Sequence, residues 1–320
     1  MLRSILIYLS QADWARRLVT GWQIAWRVAS RFVAGETIDD AINALRVLNE
    51  KGVYGTLDHL GENITDTDDA RKATDEIINA LDMIDQAGVA AGVSVKLSQI
   101  GLLVGEDICE ENLHRILERA KSYENFVRVD MEDSPVTDVT LKLFRNMRAE
   151  GFADTVGIVI QSYLYRSEED VRKLMENGAR VRLCKGAYNE PADVAFPKKV
   201  DADASYDRIT EMLIDGAIDE GSLRVSACGH FPPIPAIATH DEIRIEHAKN
   251  YARKVDLPKE AMEFQMLYGI RRSLQEQIVA EGYPMRVYVP YGTEWYPYFV
   301  RRLAERPANL WFLISNFFRR

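Results

Sequence analysis

The chain has 320 residues, of which 47% are hydrophobic and 28% are charged. This composition predicts a globular protein with a large core and excludes a disordered or collagen-like chain. With 40 basic and 49 acidic side chains the net charge is −9, the wrong sign for a protein whose main partner is nucleic acid. The length allows either two domains or one large α/β barrel.

The first 45 residues are expected to form an N-terminal helical arm that packs on a domain spanning residues 46–320. The apolar segment 2–9 is too short to span a bilayer and no small-residue cleavage site follows it, which favours a helix over a signal peptide. The aromatic residues of the arm favour core packing over a ligand site. They are Trp14, Trp22, Trp26 and Phe32.

The three cysteines, Cys109, Cys184 and Cys228, are an odd number and lack the spacing of metal ligands. Unpaired cysteines are typical of a reducing compartment. We therefore expect free thiols, no metal site and a cytoplasmic protein.

From about residue 53, short β-branched segments alternate with amphipathic segments, and no Gly/Ser/Pro linker interrupts them. The predicted strands are 53–58, 92–98, 126–131, 156–162, 180–185, 234–240, 263–268 and 285–290. Helical spacing follows them, as in 70–87, 110–123, 136–148 and 168–176. The sixth strand has an alternative at 223–228. Eight such units in one domain predict an α/β fold of the (βα)8 type, a TIM barrel.

Charged residues occupy lumen-facing positions in three predicted strands. Alternate side chains of a barrel strand face the lumen and the surrounding helices, and the helix-facing set must be apolar. The lumen-facing set predicted in this way is Ser94, Lys96, Ser98, Arg128, Asp130, Glu132, Arg180, Arg182 and Cys184. Such charges must pair or serve a ligand at the carboxyl ends of the strands. Both alternatives stay open: an ion-pair network, such as Lys96 with Asp130, and a catalytic site that Gln161 and His240 would join.

The last predicted helix carries Tyr298, Arg301, Arg302 and Glu305 on or near one face. Adjacent arginines beside an aromatic ring can hold a small carboxylate through two hydrogen bonds. The alternative is a solvated basic face with an Arg301–Glu305 pair. Because this helix directly follows the eighth strand, it can lie across the mouth of the barrel.

Taken together, the motifs resemble those of the proline dehydrogenase (proline oxidase) family of flavoenzymes, in its monofunctional bacterial form. The resemblance runs from Asp58-His-Leu-Gly-Glu62 to Arg306. Its further motifs are Val93-Ser-Val-Lys-Leu-Ser98, Val127-Arg-Val-Asp-Met-Glu-Asp133, Val159-Ile-Gln-Ser-Tyr163, Val181-Arg-Leu-Cys-Lys-Gly-Ala-Tyr188, Ala238-Thr-His240, Glu263-Phe-Gln-Met-Leu267 and Tyr298-Phe-Val-Arg-Arg-Leu-Ala-Glu305. The resemblance implies a distorted (βα)8 barrel with the last helix above the strands and FAD at their carboxyl ends. It also implies oxidation of L-proline to 1-pyrroline-5-carboxylate by hydride transfer to flavin N5, the first step of proline degradation to glutamate.

The resemblance also implies roles for individual residues. The substrate residues would be Lys96, Arg301 and Arg302 on the carboxylate, Leu267, Tyr288 and Tyr298 around the ring, and Glu62 as a partner of the carboxylate-binding arginine in the empty site. The cofactor residues would be Met131, Gln161, Arg182, Lys185, Gly186, Ala187, Thr239, His240 and Glu305. Arg182 would stabilise negative charge on the flavin, while Asp130 would either orient Lys96 or act at the ring nitrogen. The segment 190–206 fits the family poorly, and we assign no adenine or phosphate ligands there.

Partners follow from the same resemblance. We expect a quinone-type electron acceptor and, because the chain ends at Arg320 without an aldehyde dehydrogenase domain, a separate pyrroline-5-carboxylate dehydrogenase. The apolar C-terminal tail, 310–320, has three alternatives: packing on its own barrel, on a second subunit, or on the inner face of a membrane that holds the quinone.

Two other functions compete with this one. A barrel lyase or aldolase would use Lys96 or Lys185 as a Schiff base. A barrel that binds an amino acid without turnover is the third hypothesis. A lyase of phosphorylated substrates favours a glycine-rich loop after the seventh or eighth strand, and this sequence has few glycines there.

Overall fold

The computed structural model of the chain describes residues 23–305, and within them the side chains of residues 26–302. In this part of the chain, eight parallel strands form a closed barrel in sequence order. They are β1 (Tyr54–His59), β2 (Ala91–Val95), β3 (Val127–Val129), β4 (Val156–Gln161), β5 (Val181–Cys184), β6 (Pro235–Ala238), β7 (Glu263–Leu267) and β8 (Met285–Tyr291). Each predicted strand is confirmed to within three residues at either end, and the alternative sixth strand at 223–228 is not formed. Strand β1 pairs with both β2 and β8, which closes the cylinder.

Two helices precede the barrel in the described residues, and one helix follows each strand. They are α1 (Gln23–Ala29), α2 (Ile38–Asn49), α3 (Thr67–Ala87), α4 (Glu106–Ser122), α5 (Thr137–Met147), α6 (Ser167–Met175), α7 (Lys199–Asp219), α8 (Glu242–Lys254), α9 (Arg272–Ala280) and α10 (Trp295–Glu305). Short 3-10 turns cover Ser134–Val136 and Lys259–Ala261, and a π-type turn covers Arg148–Phe152. The TIM-barrel prediction is confirmed.

Helix α3 shows how local sequence sets these boundaries. The Asp66 side chain accepts hydrogen bonds from the backbone N–H groups of residues 68 and 69, which caps the start of the helix. Gly88 ends the helix in the left-handed conformation, with φ of 60°. Between these ends Ile77, Leu81 and Ile84 are buried on one stripe. The amphipathic pattern therefore fixes α3 against the outside of the barrel.

The main core lies between the barrel and its helices. Val93, Val95, Val127 and Val129 belong to one buried apolar cluster with residues of the surrounding helices, as the helix-facing alternation predicted for β2 and β3 requires. Removing such side chains from water is the principal stabilising contribution to the fold.

A second, smaller core joins α1 to α10 above the barrel. The rings of Trp26 and Trp295 lie 5.3 Å apart, and those of Phe32 and Phe299 lie 6.5 Å apart. The core packing expected for Trp26 and Phe32 is thus confirmed, whereas Trp14 and Trp22 lie outside the described residues. Helix α2 runs across residue 45, and the division of the chain at that position stays a prediction.

The floor of the lumen, at the amino ends of the strands, holds a buried ion pair. The Arg286 Nε donates to both carboxylate oxygens of Glu263, at 2.9 and 3.0 Å. Its two Nη groups donate to the carbonyls of Gly55 and Gly229, both at 2.8 Å. Arg286 and Glu263 are 3% and 0% exposed, so the pair belongs to the interior.

The mouth of the lumen, at the carboxyl ends of the strands, is covered by α10. Its residues Tyr298, Arg301 and Arg302 line a cavity together with residues at the ends of the strands. The predicted position of the last helix is confirmed. Among the described residues, no helix combines the length and apolar character that crossing a membrane requires.

Candidate active site

The cavity at the mouth has a volume of about 560 Å³. This volume is in the range of small-molecule sites, roughly 300–1,000 Å³. Every predicted site residue whose side chain is described lines it. These residues are Glu62, Lys96, Asp130, Met131, Gln161, Arg182, Lys185, Gly186, Ala187, Thr239, His240, Leu267, Tyr288, Tyr298, Arg301 and Arg302. The Glu305 side chain lies outside the described residues.

Lys96 lies between two carboxylates at the centre of the mouth. Its Nζ is 2.8 Å from Asp58 Oδ1 and 3.8 Å from Asp130 Oδ2. Burial alone would lower the pKa of Lys96, but the two carboxylates raise this pKa above its ordinary value. Lys96 therefore remains an ammonium group at neutral pH.

Asp58, the nearest partner of Lys96, was missed among the predicted site residues. Its side chain is 1% exposed, and burial raises the pKa of its carboxyl group even though Lys96 opposes this. In β1, Asp58 lies on the same side of the strand as Thr56, two positions earlier, and Asp58 is paired with Ser94 of β2. The alternation applied to β2, β3 and β5 would have found Asp58 if it had been applied to β1.

Asp130 joins three strands through one carboxylate. It accepts hydrogen bonds from Ser94 Oγ at 2.7 Å, Arg182 Nη1 at 3.0 Å and the Tyr288 hydroxyl at 2.8 Å. Burial and the nearby Asp130 raise the pKa of Tyr288 well above its ordinary value, so the phenol stays protonated and donates. Asp130 thus fixes the positions of both Arg182 and Tyr288.

Arg301 on α10 forms an ion pair with Glu62, which lies in the loop after β1. Burial lowers the pKa of Arg301, whereas the Glu62 carboxylate raises it, and the pKa is above its ordinary value overall. The side chains remain 31% and 20% exposed, so they border the cavity and are not sealed from it. The Arg301 Nη1 group donates to Glu62, and the alternative pairing of Arg301 with Glu305 stays a prediction because the Glu305 side chain lies outside the described residues.

Arg302 lies beside an aromatic ring, as its sequence position indicated. Its guanidinium carbon is 5.3 Å from the centroid of the Tyr298 ring. Such contacts orient a guanidinium group and leave its edge available for hydrogen bonds. Helix α10 therefore presents two adjacent, oriented arginines to the cavity.

Lys185, just after β5, lies between two carboxylates at the rim of the mouth. Its Nζ is 2.6 Å from Asp203 Oδ1 and 2.8 Å from Asp241 Oδ2. Burial raises the pKa values of both carboxyl groups, but hydrogen bonds from Lys185 lower them, and the net direction is downward. Neither aspartate was predicted. Asp241 could have been found as the N-cap of α8, where it accepts from Ile243 N–H.

Gln161, the last residue of β4, fixes the backbone that follows β3 and β5. Its amide nitrogen donates to the Glu132 carbonyl at 2.8 Å, and its amide oxygen accepts from Ala187 N–H at 3.3 Å. Gly186 has φ of +127°, and a Cβ there would lie 2.3 Å from the Tyr163 ring. The chain therefore needs glycine at this position, where the backbone borders the cavity.

Strands β6 and β7 meet at His240. The Leu267 N–H donates to His240 Nε2 at 3.0 Å, and Asp241 N–H donates to Thr239 Oγ1 at 3.1 Å. These contacts fix the polar side chains that end β6.

Five residues predicted to face the lumen do not line the cavity, namely Ser94, Ser98, Arg128, Glu132 and Arg180. Ser98 N–H donates to Glu132 at 2.9 Å, and Arg180 donates to the Pro232 carbonyl. For Ser98 and Glu132 the reason is that β2 and β3 end at residues 95 and 129, so strand alternation does not extend to positions 98 and 132. Arg180 precedes β5 and lies toward the floor.

The mouth of this closed barrel brings lysine, arginine, carboxylate and tyrosine groups around one cavity. This arrangement is that of the TIM-barrel enzymes. The sequence profile of the family described as proline dehydrogenase matches residues 41–314. The chain belongs to the proline dehydrogenase family. It is therefore an oxidoreductase of proline catabolism, as the motifs indicated.

Individual relatives agree with the family. A proline dehydrogenase of Deinococcus radiodurans is 42% identical over 297 residues, covering 92% of this chain and 91% of the relative. Proline dehydrogenase 1 of Bacillus subtilis is 38% identical and covers 99% of both chains. The crystal structure of proline utilization A (PutA) from Bdellovibrio bacteriovorus, inactivated by N-propargylglycine, superposes with a TM-score of 0.79 at 27% identity. It covers 92% of this chain and 34% of that one.

Proposed function

We propose that the protein oxidises L-proline to 1-pyrroline-5-carboxylate with FAD as its cofactor, as the first step of proline degradation to glutamate. The observation that carries this proposal is the convergence of Lys96, Arg301 and Arg302 on one cavity, next to the tyrosines of β8 and α10. A positive group of this kind suits a small carboxylate, and tyrosine and leucine side chains suit an apolar ring.

The two arginines of α10 are the proposed carboxylate site. Their adjacent guanidinium groups match the two oxygens of a carboxylate, and the Lys96 ammonium adds a third positive charge. Leu267, Tyr288 and Tyr298 would then enclose the pyrrolidine ring. Binding in this manner fixes the orientation of the ring, which is the main contribution a site can make to a hydride transfer.

Glu62 is proposed to hold Arg301 until substrate arrives. A partly exposed ion pair contributes little stability, about 0–1 kcal/mol, so a substrate carboxylate can replace Glu62 at small cost. Exchange of one carboxylate for another keeps the Arg301 charge paired throughout.

The side of the cavity formed by the ends of β3 to β6 fits a flavin. The proposed contacts are Met131, Gln161, Arg182, Lys185, Gly186, Ala187, Thr239, His240 and Glu305. Arg182 is 4% exposed, and its buried Nε has no hydrogen-bond partner among the described residues. Such a donor suits an acceptor that carries negative charge. When bound, FAD would supply the hydride acceptor at flavin N5.

Asp130 is proposed as a positioning residue. The hydrogen bonds from Ser94, Arg182 and Tyr288 occupy its carboxylate, which supports orientation of these groups over action at the ring nitrogen. The two roles differ in their pH dependence. A pH profile of Asp130→Asn parallel to that of the parent supports orientation, and loss of the acidic limb of the profile supports a role at the nitrogen.

The contacts of both candidate lysines argue against a Schiff-base lyase. A Schiff base needs a neutral amine, whereas the carboxylates of Asp58 and Asp130 raise the pKa of Lys96. Lys185 is likewise enclosed by Asp203 and Asp241. The environment of Lys96 therefore opposes the nucleophilic form, and the amine of Lys185 is held in two ion pairs.

The proposal also includes a quinone-type electron acceptor and a separate pyrroline-5-carboxylate dehydrogenase that takes the product. Both rest on the family resemblance. The tail 310–320, with its three alternatives, lies outside the described residues. Truncation at Ala308 tests whether the tail brings the protein to a membrane-bound acceptor. Unchanged quinone activity and membrane partition after that truncation would exclude the membrane alternative.

The visible spectrum tests the proposal. Purified protein supplied with FAD should be yellow and should be bleached by L-proline without oxygen. N-propargylglycine, a secondary amine with a carboxylate like proline, should block this bleaching in the parent. Protein that takes up no FAD refutes the cofactor, and yellow protein that proline fails to bleach refutes the substrate.

A further inference from the structure

Arg128 of β3 is a buried guanidinium group that the proposed function does not use. It is 1% exposed, and its Nε and Nη2 have no hydrogen-bond partner among the described residues. Its Nη1 donates to the carbonyls of Ile158 and Arg180, at 3.2 and 2.5 Å. The Phe126 ring, 4.9 Å from the guanidinium carbon, covers another part of the group. Two nitrogens of the group therefore remain to donate to a ligand.

Three other cations of the lumen have carboxylate partners. Lys96 pairs with Asp58, Arg182 with Asp130 and Arg286 with Glu263, whereas Arg128 forms no ion pair within the described residues. Burial and the nearby arginines lower the pKa of Arg128, but a guanidinium stays charged in proteins at any ordinary pH. An unpaired buried charge is costly. The floor of the lumen thus carries an excess positive charge.

The chain makes room for Arg128 in a specific way. Gly157 is its neighbour in the pairing of β3 with β4, and a Cβ at Gly157 would lie 2.5 Å from Arg128 Nη1. Any other residue at this position would displace the guanidinium group. The position of Arg128 therefore depends on a matching feature of the adjacent strand.

A small cavity adjoins Arg128. Its volume is about 10 Å³, and its lining includes Thr56, Gly92, Arg128, Arg182, Gln265 and Arg286. A single water-sized particle needs roughly 10–15 Å³. A water molecule would satisfy the hydrogen bonds of Arg128 but would leave its charge unpaired, whereas a monatomic anion satisfies both.

We propose that the floor of the barrel binds one small monovalent anion of the chloride class, held by Arg128 with Arg182 and Arg286 beside it. The anion neutralises the excess charge of the floor. Arg182 lines both this cavity and the one at the mouth, so the anion also sets the electrostatic environment of a residue proposed to contact the cofactor.

Thermal unfolding and crystallography together test this site. Protein prepared in gluconate salts should gain about 3 °C in Tm when chloride replaces gluconate at constant ionic strength, because the anion binds the folded state. The gain should disappear in Arg128→Met and persist in Arg145→Met, which removes an exposed arginine. Crystals of the parent grown in bromide should show an anomalous peak within about 4 Å of the Arg128 guanidinium, roughly the reach of a charged contact.

Three results would overturn the proposal. The first is a water-sized peak without anomalous signal, or no peak, beside Arg128 in the bromide crystal. The second is an equal Tm in chloride and gluconate. The third is a chloride response that survives in Arg128→Met, which would place the anion elsewhere, for example at the arginines of α10. If Arg128→Met does not fold, the bromide map of the parent decides alone.

Discussion

Two ion pairs of the same lumen, Arg286–Glu263 at the floor and Arg301–Glu62 at the mouth, differ in how completely the arginine is hydrogen-bonded. At the floor, Glu263 and the carbonyls of Gly55 and Gly229 receive hydrogen bonds from all three nitrogens of the Arg286 guanidinium. At the mouth, Arg301 meets Glu62 through one nitrogen, and both side chains remain partly exposed. Completeness of pairing, more than the presence of charge, distinguishes a structural ion pair from one that can exchange its partner.

The largest expected effect is at the floor. Glu263→Gln removes the charge that compensates Arg286, and breaking a fully buried pair costs about 3–5 kcal/mol of unfolding free energy. Denaturant unfolding measures this loss, with Glu260→Gln on the exposed surface as the control. The kcat/KM of the folded fraction should stay at the parent value. A loss below about 1 kcal/mol would mean that the floor pair is as weak as a surface pair.

The next effect is at the mouth. Arg301→Met should raise the KM for proline about 100-fold, because a charge-assisted hydrogen bond contributes about 1.5–3 kcal/mol. Steady-state kinetics measures this change, and Tm should stay near that of the parent. The exposed Arg145→Met variant is the matched control. An unchanged KM would remove Arg301 from the carboxylate site.

Glu62→Gln should have a smaller and opposite effect. Without the carboxylate that competes for Arg301, KM for proline should fall about threefold, as expected for a partly exposed ion pair. The same kinetic assay measures it. A rise in KM would show that Glu62 organises the site for substrate instead of occupying it.

The smallest effect concerns Asp203 at the rim. Its lowered carboxyl pKa means that the unfolded chain takes up a proton first as pH falls. Stability from this group is therefore present above about pH 4 and is lost in acid. Between about pH 5 and pH 3, the unfolding free energy of Asp203→Asn should therefore fall by about 0.5 kcal/mol less than that of the parent. Parallel curves for the variant and the parent would contradict the Lys185–Asp203 pairing.

The pattern of the sequence predicts the barrel well because β-branched segments and amphipathic helices are local features. Strand alternation also places Arg128, Asp130 and Arg182 in the lumen. Partner choice is not local. Lys96 was expected beside Asp130, but the barrel brings β1 closer, and Asp58 becomes the nearer carboxylate.

The ends of the strands were the second feature that the sequence did not predict accurately. Alternation predicted that Ser98 and Glu132 face the lumen, but their strands end three residues earlier, and the Ser98 hydroxyl donates to the Glu132 carboxylate. The pairing of Arg286 with Glu263 was not predicted for a related reason, since alternation was not applied to β7 and β8. Strand geometry predicts which way a side chain points. Its burial and its hydrogen-bond partners depend on the closed barrel.

Closure of the barrel by β1 and β8 has a consequence during synthesis. The two strands pair along their length, from Tyr54 opposite Arg286 to His59 opposite Tyr291. Until the ribosome has released the eighth strand, a nascent chain with seven strands has two open sheet edges, which attract other chains. The residues proposed to hold the substrate carboxylate emerge later still. The two edges can therefore be paired with each other only in the last stage of translation, after β8 has emerged.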